Sequence, residues 1–118
     1  MRLGIDVGAM TMGPPAIDRL EALVADAVQR GATLVVGGHG KGGTGNHKDG
    51  AFFEATVLTD VKASMRIAQE EVFGPIVPVY ACRHDVELVR AVNLSKFGLG
   101  ASVFTKNAKR GDKIFATL

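Results

Sequence analysis

Four groups of residues in this chain have types and spacings that could do chemistry. In Gln69-Glu-Glu-Val-Phe-Gly-Pro-Ile-Val-Pro78 a carboxylate, Glu71, stands two residues before an aromatic ring, Phe73. A carboxylate accepts paired hydrogen bonds from a vicinal diol such as a ribose. A ring beside it can pack on a sugar or a flat heterocycle. Gly74-Pro75 forces an extended exit from this stretch, because proline disfavours the α region for the residue before it. On the residues alone the plainer reading is preferred: an exposed acid pair, Glu70 and Glu71, at a helix end beside a core phenylalanine.

The other three groups are weaker. Gly38-His-Gly-Lys-Gly-Gly43 is a literal G-x-G-x-x-G, whose backbone N–H groups could cradle a pyrophosphate. That chemistry needs a helix after the glycines, and a strand is expected there instead. A surface connection between strands is the preferred reading. His39 and His47 share this loop, but no cysteine lies nearby and the spacing fixes no coordination geometry. Solvated histidines are preferred to a metal site. Cys82, followed by Arg83 and His84, could be a nucleophile if a base or positive charge activated it. At the end of an apolar strand a buried, inert thiol is the commoner outcome.

The elements that must position these residues alternate. Gly13-Pro14-Pro15 opens a helix in which Ile17, Leu20, Val24, Ala27 and Val28 recur on one face, and Gly31 can cap it. Ala32 to Val36 follows as a short buried strand. Ala51 to Leu58 reads as one strand with alternating faces, and residues 65–69 as a short helix. Ile76 to Cys82 is an apolar run suited to a strand covered on both sides. A helix through Asn93, capped by His84 or Asp85, would bury Val86, Val89 and Val92. Gly100 to Thr105 reads as a strand, and Asn107 caps a last helix. This alternation predicts an α/β fold with a largely parallel sheet flanked by helices, in a single domain over residues 1–118.

Bulk properties exclude several classes. The 118 residues are 47% apolar and 22% charged, which suits one packed globular domain. A net charge of +2 makes no electrostatic case for nucleic acid or an anionic membrane. No apolar run approaches the roughly 20 residues of a membrane helix, and MRLGIDVGAM lacks the layout of a secretory signal. The single cysteine precludes an internal disulfide and fits a reducing compartment. Nothing before Gly13 reads as a packed element, and the last helix stops while still apolar, at Ile114, Phe115 and Leu118. A piece of a longer protein is therefore expected.

Glu71-x-Phe73-Gly74-Pro75 resembles the E-x-F-G-P motif of the aldehyde dehydrogenase superfamily. Asp6-Val-Gly-Ala-Met10 is similar to that family's segment leading into a catalytic-domain helix. Arg30-Gly-Ala-x-Leu-x-x-Gly-Gly38 resembles the Gly-Ala-x-x-x-x-Gly-Gly segment after that helix. Gly50-Ala-Phe-Phe-Glu-Ala-Thr-Val-Leu58 resembles the family's Gly-x-Phe/Tyr-x-x-Pro-Thr-Val-Leu strand, with Ala55 where proline is usual. Asn93-x-Ser-x-Phe-Gly-Leu-Gly-Ala-Ser-Val-Phe-Thr105 resembles Asn-x-x-x-Tyr/Phe-Gly-Leu-x-x-x-Val-Phe-Thr. These segments stand in the family's order and cover nearly the whole chain.

The resemblance implies a central-to-late part of the catalytic domain of an aldehyde dehydrogenase. Its parent would oxidise an aldehyde to a carboxylic acid through a cysteine thiohemiacetal and thioester, with NAD or NADP as hydride acceptor. Glu71 would bind the hydroxyls of the nicotinamide ribose, and Phe73 would pack beside that ribose and the nicotinamide. No catalytic residue is assigned within this chain: the family's nucleophile lies in a Gly-Gln-x-Cys segment that is absent here, as is its general-base glutamate. Cys82 has neither that context nor that position. The chain alone is expected to be inactive. The parent is expected to be a cytoplasmic homo-oligomer, dimer or tetramer, with a mitochondrial location left open. The alternative is a non-enzymatic α/β binding or interaction module derived from the same scaffold.

Overall fold

In the computed structural model, which describes residues 4–6, 14–42 and 50–118, the apolar periodicity after Pro14 forms helix α1, Pro14–Gln29. Leu20, Val24 and Ala27 are buried as the periodicity predicts, and Leu23 joins them, while Val28 is left exposed. Gly31 ends the helix at φ +99°. Its N–H donates to the Val28 carbonyl at 3.0 Å, and Ala32 N–H to that of Ala27 at 2.9 Å. Those two bonds satisfy helix-end carbonyls in the Schellman manner, which only a left-handed residue allows without strain.

Among the described residues six strands follow in chain order: β1 Gly4–Asp6, β2 Thr33–Val36, β3 Gly40–Gly42, β4 Ala51–Glu54, β5 Thr56–Thr59 and β6 Ile76–Pro78. They form two three-stranded sheets, ordered β1-β4-β3 and β2-β5-β6. Helix α2, Arg66–Gln69, lies between β5 and β6. Leu20, Val24, Ala27, Phe53, Leu58, Met65, Ile67 and Ile76 form the core beneath α1.

The α/β class holds, but the largely parallel sheet does not. Among the described strands only β5 and β6 pair in parallel; β1–β4, β3–β4 and β2–β5 are antiparallel. Parallel neighbours need a long crossover, usually helical, and among the described residues the link through α2 is the one that joins two neighbouring strands in that way. The single strand expected over Ala51 to Leu58 is divided at exposed Ala55. Its first half pairs in one sheet and its second half in the other. Part of the glycine-rich loop is strand β3 rather than a free connection, and β1 is an element the sequence did not suggest.

The chain divides into two compact units, Met1–Ala81 and Cys82–Leu118. The second contains α3, Asp85–Asn93, and α4, Ala108–Phe115. Asn107 caps α4, its side chain accepting from Arg110 N–H at 3.0 Å. Arg110 pairs with Asp85, and Asn93 Nδ2 donates to the Thr117 carbonyl at 2.8 Å. The valines expected to be buried on α3 are not: Val86 is 80% exposed and Val92 is also open. Gly100 to Thr105 forms no strand, because no second strand within this unit is available to take its N–H and C=O groups.

Candidate functional site

Glu71 and Phe73 lie on the link from α2 to β6, in the first unit. The two adjacent acids separate at once. Glu70 ends α2 and is clamped by Arg66, with Nε to Oε1 at 2.7 Å and Nη2 to Oε2 at 3.2 Å. The hydrogen bond from Arg66 holds the Glu70 carboxyl below its ordinary range. Arg66 is also tied to α1, because its N–H donates to Asp26 Oδ2 at 3.3 Å. Glu71 is exposed, and no described residue donates a hydrogen bond to its carboxylate. Arg66 takes up one acid, and the other stands in the open among the described residues.

Helix α1 builds the floor under Glu71. Arg19 Nη1 donates to the Val72 carbonyl at 2.8 Å, and Nη2 donates to the Glu71 carbonyl. The next residue on the helix, Leu20, packs under Gly74. A Cβ at Gly74 would stand 2.7 Å from both Leu20 δ-carbons, so a side chain there would have to displace the fully buried Leu20 tip. Phe73 lies between these two holds at φ +43°, a left-handed conformation rare for an aromatic residue. Its ring is half exposed. It is therefore not the core phenylalanine that the plainer sequence reading assumed. Beyond Gly74 the chain enters β6: Thr56 N–H donates to the Pro75 carbonyl at 2.8 Å, and Ile76 pairs with Thr56. The strand is shorter than the apolar run, and Val77 and Val79 are exposed.

The remaining candidates lie on other segments of the chain. Gly40–Gly42 is in β3, so half of the G-x-G-x-x-G is a strand rather than a helix entrance; Gly43 and His47 lie outside the described residues. His39 is exposed, and its carbonyl accepts from Glu54 N–H at 3.0 Å. Among the described residues no three His, Cys, Asp or Glu side chains gather to hold a metal. Cys82 is a free, half-buried thiol. Sequence reasoning missed Arg19 and Leu20 as parts of this site. Its only hint was Arg19 standing next to the apolar face of α1.

A profile of the Aldehyde dehydrogenase family matches residues 2–118. The chain belongs to the aldehyde dehydrogenase family. It is 38% identical to the 3-sulfolactaldehyde dehydrogenase of Pseudomonas putida, over 93% of this chain and 23% of that protein. It is 42% identical to a succinate-semialdehyde dehydrogenase [NADP(+)] of Deinococcus radiodurans, over 80% of this chain and 19% of that protein. An aldehyde dehydrogenase of Mycobacterium tuberculosis, solved with NAD+, superposes with a TM-score of 0.76 at 34% identity, covering 88% of this chain and 21% of that one. The chain thus spans about a fifth of these aldehyde dehydrogenases.

Proposed function

We propose that this chain is part of the catalytic domain of an NAD(P)-dependent aldehyde dehydrogenase, where it forms the nicotinamide-ribose side of the cofactor site. The observation that carries the reading is the split between the adjacent acids: Glu70 is consumed by Arg66, while Glu71 is held by its backbone and keeps its carboxylate open. Glu71 would accept hydrogen bonds from the two ribose hydroxyls. Phe73 would pack on the ribose and nicotinamide, limiting rotation of the ring. When bound, the dinucleotide accepts a hydride. This chain orients it: a carboxylate on a pinned backbone sets where the sugar sits, and small misplacements of reacting groups are expensive in rate.

The nucleophile and general base are assigned outside this chain, since Cys82 lacks the Gly-Gln-x-Cys setting. The purified 118 residues, given an aldehyde and NAD+ or NADP+, are expected to make no reduced cofactor. Aldehyde-dependent NADH formation that Cys82→Ala abolishes would overturn that assignment. In the full-length enzyme, Glu71→Gln keeps the shape and removes the charge. The pre-steady-state burst of NADH should slow by on the order of tenfold or more. An unchanged burst removes Glu71 from the site.

A further inference from the structure

Arg19 and Glu71 meet across more than fifty residues of chain, and the contact is of an unusual kind. The guanidinium of Arg19 does not pair with the Glu71 carboxylate. It donates to two successive backbone carbonyls, those of Glu71 and Val72. In extended chain, successive carbonyls point to opposite sides. One planar fork can take both only where the backbone is bent between them. The bend therefore lies immediately before Phe73, the residue at φ +43°. On the other side of Phe73, Leu20 closes on Gly74. Two neighbouring residues of one rigid helix thus bracket the link that carries both the carboxylate and the ring.

We propose that Arg19 is a positioning residue for the Glu71 carboxylate: by fixing the Glu71 and Val72 carbonyls it sets the direction in which the Glu71 side chain leaves the backbone, and with it the seat of the nicotinamide ribose. This rests on the reading of Glu71 as the ribose-binding acid. Fixing the peptide that follows Cα71 leaves the side chain fewer orientations, and the carboxylate itself stays available. Arg19 also lies close enough to Glu70 to act on it electrostatically, so it stabilises the acidic end of α2 without occupying Glu71. A lysine would supply charge but no planar fork, and would hold one carbonyl rather than two.

The test uses the full-length enzyme and four variants: Glu71→Gln, Arg19→Gln, Arg19→Lys and the Arg19→Gln/Glu71→Gln double. Two ligands are titrated without substrate: ADP-ribose, which carries the second ribose, and AMP, which does not. Amide hydrogen exchange over residues 72–76 is followed in the cofactor-free protein. Glu71→Gln and Arg19→Gln should each weaken ADP-ribose by about tenfold and leave AMP unchanged. The double variant should bind no worse than Glu71→Gln, because Arg19 acts through the acid it positions. Exchange at residues 72–76 should rise in Arg19→Gln while that of α1 stays constant, and Arg19→Lys should fall between wild type and Arg19→Gln. If Arg19→Gln fails to fold, Arg19→Lys carries the same comparison. Additive losses, or a loss of AMP binding equal to that of ADP-ribose, would make Arg19 merely structural and sink the proposal. So would an Arg19→Gln protein that binds ADP-ribose normally while Glu71→Gln does not; the cofactor reading would then survive. If Glu71→Gln itself binds ADP-ribose normally, the cofactor reading fails and the role of Arg19 fails with it.

Discussion

Gly74 is where Leu20 of α1 packs against the Glu71–Gly74 link. Its missing Cβ lets Leu20 reach the link, and an added methyl would stand 2.7 Å from both Leu20 δ-carbons. Gly74→Ala should destabilise the chain by about 1–3 kcal/mol through overpacking, read as a lowered denaturant midpoint. The displaced link should also weaken cofactor binding in the full-length enzyme. Of the candidate site, Glu71, Phe73 and Gly74-Pro75 stood out in the sequence, because a carboxylate, a ring and a glycine-proline pair form a local motif. Arg19 was not. Its partners are backbone carbonyls more than fifty positions away, and a contact to main chain leaves no complementary side chain to notice.

At the level of elements, the join between the two sheets depends on Gly37. It sits at φ +78°, and a Cβ there would lie 2.4 Å from the Ala55 carbonyl oxygen and 2.5 Å from Thr56 Oγ1. Thr56 Oγ1 in turn accepts from Gly38 N–H at 2.9 Å and donates to the Glu54 carbonyl at 2.8 Å. Gly37→Ala meets backbone rather than a flexible tip, so it should cost about 3 kcal/mol. Thermal unfolding of the variant against wild type checks this. The presence of α1, the short α2, α3 and α4 was readable from period, and Asn107 from its capping chemistry; His84 makes no side-chain cap bond on α3, and α4 ends at Phe115, short of Leu118. The division of Ala51 to Leu58 at Ala55 was not, since both halves keep strand-like residues and only their partners differ. Strand direction was missed for the same reason: alternating composition records burial, whereas direction depends on which connections cross over.

Across the whole molecule, burial is uneven. The first unit holds nearly all the core, whereas in the second only Ile114 among the apolar side chains is buried, and Leu99 and Phe104 are almost fully exposed. With little apolar burial, α3 and α4 lean on polar ties such as Asp85–Arg110. The hydrogen bond from Arg110 lowers the Asp85 pKa below its ordinary 3.8. The pair therefore stabilises the folded state fully above that value, and the contribution disappears as pH falls through the lowered one. Amide exchange in α3 and α4 should accelerate relative to α1 on acidification through this window, and Asp85→Asn should remove the difference. Equal pH dependence in wild type and Asp85→Asn would refute the role of the pair. The helical pattern of α3 also misled about burial: a periodic stripe predicts a covered face, but Val89 is only half-buried, in a hollow shared with Ile114 and Thr117, and Val86 and Val92 are open.

The left-handed backbone at Phe73 has an evolutionary reading. A non-glycine residue held at positive φ stores roughly 1–3 kcal/mol of strain, which a glycine would release. Selection for thermostability alone would therefore drift toward glycine at this position and discard the ring. A lineage that keeps phenylalanine there accepts a less stable fold in exchange for an aromatic surface, so position 73 records which of the two pressures has prevailed.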